Sequence, residues 1–305
     1  MQFSIALAYN EPEDLPVLAR TAEEAGFGSV ILSDHLLYPE NRQTPYPYTK
    51  DGRMPWQADT PWPDPFVTAA ALGAVTKRLR FIVSVMVFPL RDPVLAAKTI
   101  MTTSVMTQGR LELGVGAGWM REEFEIVGQP FDRRGKRLDE SIDVLRKFEA
   151  GGLIEHHGDC FDIPPVRMAP TPARPTPLYG GGTSKPALRR AAERCDGWAG
   201  QIQSRSDLPG ILDQLRRFRK ESPRRAEPFR IVSAVSDAYD EHTYREAEDL
   251  GVTDMITVPW VFLGADLTGS SLEQKCEGIR RFGEDVLDRL GYSAKPEPEP
   301  EPDSN

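Results

Sequence analysis

Residues that bind metals or form disulfides are scarce in this sequence. It has four histidines and three cysteines, and the cysteines lie far apart with no C-x-x-C pair (Cys160, Cys195 and Cys276). An odd and dispersed set argues against both a disulfide framework and a zinc site. We therefore predict no metal centre and a cytoplasmic location.

Long apolar runs and an excess of positive charge are also missing. No stretch approaches the roughly 18 apolar residues of a membrane span, and no basic leader precedes the first apolar segment. Acidic residues number 46 against 37 basic ones, for a formal net charge of -9. This balance disfavours nucleic acid as a partner. We expect no membrane or nucleic-acid partner, but a small-molecule substrate and a possible homodimer.

Short apolar strands alternate with predicted helices along almost the whole chain. Eight such units follow one another, from a first predicted strand at Phe3–Ala8 to a last predicted helix at Leu272–Leu290. The strands are continuous apolar runs, which is typical of strands buried on both faces. The pattern predicts an α/β fold of the closed (β/α)8 TIM-barrel type. An open doubly wound sheet competes, but its dinucleotide fingerprint is missing from the first turn.

Two connections are too long to be simple loops. Residues 38–64, which we call the lid segment, follow the second strand and are rich in proline, tyrosine and tryptophan. Barrel topology places them over the carboxyl ends of the strands, where barrel enzymes have their active sites. Residues 151–176, between the fourth helix and the fifth strand, are predicted to form a stabilising or oligomer-forming hairpin. We predict one domain over 1–290 and a disordered Pro/Glu tail over 291–305.

An acid and an imidazole stand at the end of the second predicted strand. Asp34 and His35 could serve there as a hydrogen-bonding and proton-transfer pair. The same residues could instead satisfy backbone groups of a cap or loop. His35 is the only histidine predicted to lie at the catalytic end of the barrel.

Two glycine-rich turns follow strands. Gly114, Gly116 and Gly118 end the fourth strand, which would suit a sharp bend or a flat ligand lying against the backbone. The run 180–184, G-G-G-T-S, leads into the fifth helix. Such a turn exposes backbone N–H groups to a phosphate at a helix N-terminus, although a simple capped turn is the alternative.

These pieces together resemble the bacterial luciferase-like family, especially its branch that uses the deazaflavin coenzyme F420. The ordered matches cover residues 1 to about 290: S-D-H at 33–35, T-K-R-L-R-F-I-V-S-V at 76–85, Q-G-R-L-E-L-G-V-G-A-G-W at 108–119, G-Q-P-F-D-R-R-G-K-R-L-D-E at 128–140 and the glycine turn at 180–184.

The resemblance implies a set of cofactor contacts. It implies that Asp34 and a cis Ser84–Val85 bond line the tricyclic ring and that His35 acts on the substrate proton. The resemblance also implies that the glycine-rich backbone of Gly116, Ala117 and Gly118 lies near the cofactor. It implies further that Gly181, Gly182 and Thr183 bind the cofactor phosphate. Sugar-phosphate dehydrogenases of this branch have an acid at the position of Trp119, so a sugar phosphate is disfavoured as the substrate.

Four functions remain open from the sequence. The first is an F420-dependent oxidoreductase that moves a hydride between deazaflavin and a small organic substrate. The second is an FMN-dependent luciferase-like monooxygenase that uses dioxygen. The others are a non-catalytic deazaflavin-binding protein and an unrelated phosphate-binding barrel.

Overall fold

Eight parallel strands close into a barrel in the computed structural model, which describes residues 1–296. Every strand of the barrel pairs in parallel with its neighbours, and the last strand returns to the first. The predicted TIM barrel is therefore confirmed. In chain order the barrel strands are β1 (Gln2–Ala6), β2 (Ser29–Leu32), β3 (Arg80–Val87), β4 (Leu111–Gly116), β7 (Leu178–Gly181), β8 (Gly197–Gln203), β9 (Arg230–Val235) and β10 (Asp254–Thr257), with β5 (Ile154–His157) and β6 (Asp162–Val166) lying outside it.

Helices surround the barrel and follow the strands as predicted. They are α1 (Leu15–Ala25), α2 (Pro65–Val75), α3 (Pro93–Met106), α4 (Arg121–Ile126), α5 (Arg134–Ala150), α6 (Lys185–Arg194), α7 (Leu208–Glu221), α8 (Glu241–Asp249), α9 (Pro259–Phe262) and α10 (Leu272–Phe282). Asp64 and Asp92 begin α2 and α3 by accepting N–H bonds from the first turns. Each aspartate accepts the N–H groups of the second and third helical residues. The first helical residue is a proline, which has no N–H group that needs a partner.

Several predicted boundaries move. The first strand ends at Ala6 rather than Ala8, and the chain then turns through Tyr9 with φ 65°. The helix predicted over Leu272–Leu290 ends at Phe282 and continues as a π-helical segment, Gly283–Asp288. At Gly283 the backbone lies so close to Ala25 that a β-carbon would stand 2.6 Å from its carbonyl oxygen. Tight packing against α1 therefore accompanies this change in helix type.

The insertion at 151–176 contains an antiparallel hairpin, β5 with β6. Glu140 on α5 ties this hairpin to the barrel. Its carboxylate lies 3.0 Å from Nε2 of His156 and accepts the N–H groups of Cys160 and Phe161. The predicted hairpin is confirmed, and His156 has a structural role away from the barrel mouth.

Charged side chains fill the amino-terminal end of the barrel, below an apolar layer. Glu112 and Asp254 each pair with both Arg80 and Arg230, and the Tyr179 hydroxyl donates to Glu112 over 2.8 Å. We call these five residues the barrel floor. The layer above it is made of small and branched side chains around the ring of Tyr179: Ile31, Ile82, Ala199 and Val232. The interior is therefore closed below, and a ligand can enter only from the carboxyl ends of the strands.

The packed part of the chain continues beyond the predicted domain boundary at residue 290. Tyr292 is buried against Phe3, and the N–H of Ala294 donates to the carbonyl of Gly26. The remainder of the predicted tail, 297–305, lies outside the described residues. Within residues 1–296 no helix is long and apolar enough to cross a membrane.

Candidate functional site

Asp34 lies at the end of β2, and its side chain binds residues at and just beyond the end of the neighbouring strand β3. Its two carboxylate oxygens lie 2.7 and 2.8 Å from the Arg91 guanidinium, and one also accepts the N–H of Val87. The side chain is almost fully buried. Asp34 therefore fixes the end of β3, and its predicted contact with a cofactor ring stays a prediction.

The Ser84–Val85 peptide bond is cis, as the family resemblance implies. The pairing of β3 with β4 slips at this point, between Val83 and Met86. Val85 lies partly exposed on the apolar layer at the carboxyl end of the barrel. A bulge at the barrel mouth is the result.

The glycines of the two turns make room for the Val85 side chain. A β-carbon at Gly116 would stand 2.8 Å from Cγ2 of Val85, and one at Gly181 would stand 2.8 Å from Cγ1. Real side chains do not tolerate such distances, so these strands need glycine here. The sequence alone pointed to a bend or a ligand. The structure adds a third reason, which is direct packing of both turns on the bulge.

His35 is held by a buried carboxylate and enclosed by indole rings. Its Nδ1 atom lies 3.2 Å from Oε1 of Glu123, which also accepts the N–H of Leu36 over 2.9 Å. Trp56 and Trp62 of the lid segment lie 5.2 and 5.0 Å from the imidazole between ring centroids. Trp119, after β4, lies 6.0 Å away. The His35 side chain retains only 12% exposure.

The lid segment is folded down on the mouth of the barrel. Tyr46 packs edge-on against Trp56 and Trp119, each with a centroid distance of 5.3 Å. Burial raises the pKa of Tyr46, so the phenol stays neutral at ordinary pH. A cavity of about 20 Å³ lies beside Tyr9 and Trp62. Because the His35 side chain is only 12% exposed under these rings, an organic substrate can reach it only if lid side chains move.

Helix α4 anchors the lid through a second carboxylate. Oε1 of Glu122 accepts the N–H groups of Gln43 and Thr44, over 2.6 and 2.9 Å. Burial alone would raise the pKa of Glu122, but the two N–H groups outweigh burial and hold that pKa at about 2. Adjacent carboxylates of one helix thus hold the lid backbone and the imidazole.

Sequence reasoning missed Glu122 and Glu123. Both lie within four residues after the G-A-G-W block, on a six-residue helix that the pattern did not predict. The signal was a pair of acids in the first turn of a helix that follows a strand end. The sequence does not show that Glu123 is buried or that His35 is its partner. Both follow only from the way in which the strands assemble into the barrel.

The turn after β7 is rich in glycine and leads into α6 without a side-chain cap. Gly182 has φ 96°, a conformation that favours glycine, and Thr183 is exposed. The N-cap residue of α6, Ser184, makes no side-chain hydrogen bond to the first turn. The simple capped turn is therefore not what the structure has, and N–H groups of the first turn are left without a side-chain cap.

These elements define a (β/α)8 barrel with a non-prolyl cis peptide and a lid-covered imidazole at the strand ends. The sequence matches the luciferase-like monooxygenase family over residues 2–283. The protein belongs to this family of flavin- or deazaflavin-dependent oxidoreductases.

Individual proteins are similar to this chain in sequence or in fold. An uncharacterized protein of Mycobacterium tuberculosis is 37% identical over 95% of this chain and 100% of its own length. An F420-dependent glucose-6-phosphate dehydrogenase of Nakamurella multipartita is 28% identical over 78% of this chain and 67% of its own. In structure, monooxygenase RslO1 from Streptomyces bottropensis superposes with a TM-score of 0.70 at 18% identity, covering 95% of this chain and 100% of the other.

Proposed function

We propose that this protein is an F420-dependent oxidoreductase that transfers a hydride between the deazaflavin and a small organic substrate held under the lid. The observation that carries the proposal is the His35–Glu123 pair at the mouth of the barrel. Hydride transfer to or from an alcohol or carbonyl needs a partner for the proton, and an imidazole exchanges protons near neutral pH. The F420-dependent relative from Nakamurella multipartita supports this choice of cofactor.

The residues at the mouth fit a phosphate-bearing tricyclic cofactor. The glycine turn 181–183 leads to helix α6, whose first turn has no side-chain cap. An anion is favoured at such a terminus by the N–H groups and by the helix dipole. Gly181 and Gly116 also adjoin Val85, so the phosphate turn and the bulge proposed to support the ring are built together. Asp34, Ala117 and Gly118 complete the proposed cofactor contacts.

When bound, the deazaflavin supplies a ring carbon that takes up or releases a hydride. His35 would handle the accompanying proton. An ionised carboxylate can only accept a hydrogen bond, so Glu123 favours the tautomer with the proton on Nδ1. Nε2 is then free to accept a proton from a substrate hydroxyl, or to return it in the reverse direction.

The lid lining favours an uncharged, largely apolar substrate. Tyr9, Tyr46, Trp56, Trp62 and Trp119 form one connected aromatic cluster around His35. The rings themselves offer no charge to replace the hydration that a phosphate group would lose among them. The nearby Arg42, 5.7 Å from the Trp119 ring, already donates to the carbonyls of Thr44 and Gly52. When the lid closes on a substrate, the same rings would exclude water from the reacting atoms.

A second candidate is an FMN-dependent monooxygenase that uses dioxygen. The family description and the structural likeness to monooxygenase RslO1 favour it. A non-catalytic deazaflavin-binding protein is the remaining alternative. Titration of the purified protein with F420 and, separately, with FMN distinguishes these candidates. We expect F420 to bind well and FMN poorly; tight FMN binding without F420 binding would contradict the proposal.

A further inference from the structure

A cationic groove lies on the outer surface of the barrel, next to the glycine turn. It is about 530 Å³ in volume and runs along the seam between α6 and α7. This size falls within the range of about 300–1,000 Å³ that is usual for small-ligand sites. Its lining combines positive charge with apolar surface: Lys185, Pro186, Arg189, Gln214, Arg217 and Phe218.

The groove begins where the proposed phosphate site ends. Lys185 is the first residue of α6 and directly follows Ser184. A ligand whose phosphate lies at residues 181–183 and which continues beyond it would thus meet Lys185 next. Arg189 follows one helical turn later.

The charges in the groove are available to a ligand to different degrees. Arg189 stacks over the Phe218 ring at 4.6 Å and pairs with Glu193 over 3.1 Å. Lys185 and Arg217 are exposed, and neither forms an ion pair within residues 1–296. In a protein of net charge -9, such a local excess of cations is what an anionic chain would require in order to dock.

We propose that this groove binds the acidic oligoglutamate tail that follows the phosphate in coenzyme F420. The inference rests on the proposed function. Carboxylates of the tail would pair with Lys185, Arg189 and Arg217, while its methylene groups would lie on Phe218. FMN ends at its phosphate and has nothing to place there, so the groove selects F420 over FMN.

The test compares two forms of the cofactor by fluorescence titration: F420 with several glutamates, and the same deazaflavin ending at the phospholactyl group. We expect the wild-type protein to bind the glutamylated form about tenfold more tightly at low salt, as three partly exposed ion pairs would give. High salt should reduce this preference, because exposed charges are screened. The triple variant Lys185→Gln, Arg189→Gln, Arg217→Gln should lose the preference and still bind the short form.

Lys220→Gln is the matched control, since Lys220 is exposed on α7 but does not line the groove. This variant should retain the preference. Equal binding of both forms by the wild type would overturn the groove proposal and leave the proposed function intact. So would an equal loss of both forms in the triple variant. If neither form binds while FMN does, the proposed function fails and the groove proposal fails with it.

Discussion

The imidazole of His35 and the carboxylate of Glu123 meet 3.2 Å apart, although the two residues are separated by 88 positions in the chain. His35 comes from the end of β2 and Glu123 from α4, beyond the end of β4. Neither strand pairs with the other, because β3 lies between them. The two residues meet because both strands end at the mouth of the barrel. The lid segment lies at the same mouth and covers the imidazole ring of His35.

Replacement of His35 by alanine tests its role as the proton carrier. We expect turnover to fall by about 10²–10⁴-fold, the usual contribution of a general acid or base. Affinity for F420 should change little, since the imidazole is proposed to act on the substrate. His242→Ala is the control, because His242 is exposed on α8. If cofactor binding falls while turnover at saturation persists, His35 is a cofactor contact instead.

Glu123→Gln tests the carboxylate that positions the imidazole. The amide keeps the shape but loses the charge and can present N–H to Nδ1, which disfavours the tautomer described above. We expect kcat to fall by roughly 10–100-fold, the loss typical when the hydrogen-bond partner that orients a metal-binding imidazole is changed. KM should be nearly unchanged. Glu125→Gln, at an exposed carboxylate on the same helix, should behave as wild type; an equal kcat in all three proteins would refute the positioning role.

Much of this arrangement could be predicted from sequence because it depends on local pattern. The continuous apolar strands, their alternation with helices and the two long connections all depend on residues that are close in sequence. They predicted the barrel, both insertions and the position of His35 at a strand end. Glu123 is different. Its burial depends on the lid and on β2, which no local pattern records.

The barrel floor shows the same limit. Arg80, Glu112, Arg230 and Asp254 are polar residues within otherwise apolar strands, which is a visible departure from the pattern. Each pairs with residues on other strands, up to 174 positions away. The sequence could reveal that these charges are unusual, but their partners follow only from the closed strand order.

Glu122→Gln should loosen the lid without changing the fold. The neutral amide oxygen accepts more weakly from the Gln43 and Thr44 N–H groups than the carboxylate does. Limited proteolysis within residues 38–64 should therefore become faster, while thermal unfolding of the barrel stays the same. Equal cleavage rates in wild type and variant would show that Glu122 does not anchor the lid.

Gly181→Ala should weaken cofactor binding by disturbing the turn and the bulge together. The added β-carbon would stand 2.8 Å from Val85, so the valine must shift. We expect a destabilisation of about 1–3 kcal/mol, as for overpacking, together with lower F420 affinity. Gly210→Ala on α7 is the matched control, because nothing lies within 4 Å of its β-carbon. Unchanged cofactor affinity in Gly181→Ala would argue against the proposed phosphate turn.

Asp254→Asn tests the barrel floor, where burial and ion pairing shift the pKa of Asp254 in opposite directions. Burial alone would raise the pKa of Asp254, but Arg230 and Arg80 outweigh it and hold that pKa below its ordinary value. The ionised carboxylate therefore stabilises the folded state above the unfolded pKa, and this contribution is lost as pH falls through the lower, folded pKa. We expect the variant to lose about 3 kcal/mol at neutral pH, the low end for a broken buried pair, because both guanidiniums keep some contact with water.

Denaturant unfolding of wild type and Asp254→Asn across a pH series measures this contribution. The difference between them should be constant near neutrality and shrink below about pH 4, the ordinary range of an aspartate. Asp213→Asn serves as the control, since its pair with Arg216 is exposed and should contribute at most about 1 kcal/mol. A difference for Asp254→Asn that stays the same from neutral to strongly acidic pH would mean that its charge does not stabilise the floor, and that the variant acts through packing alone.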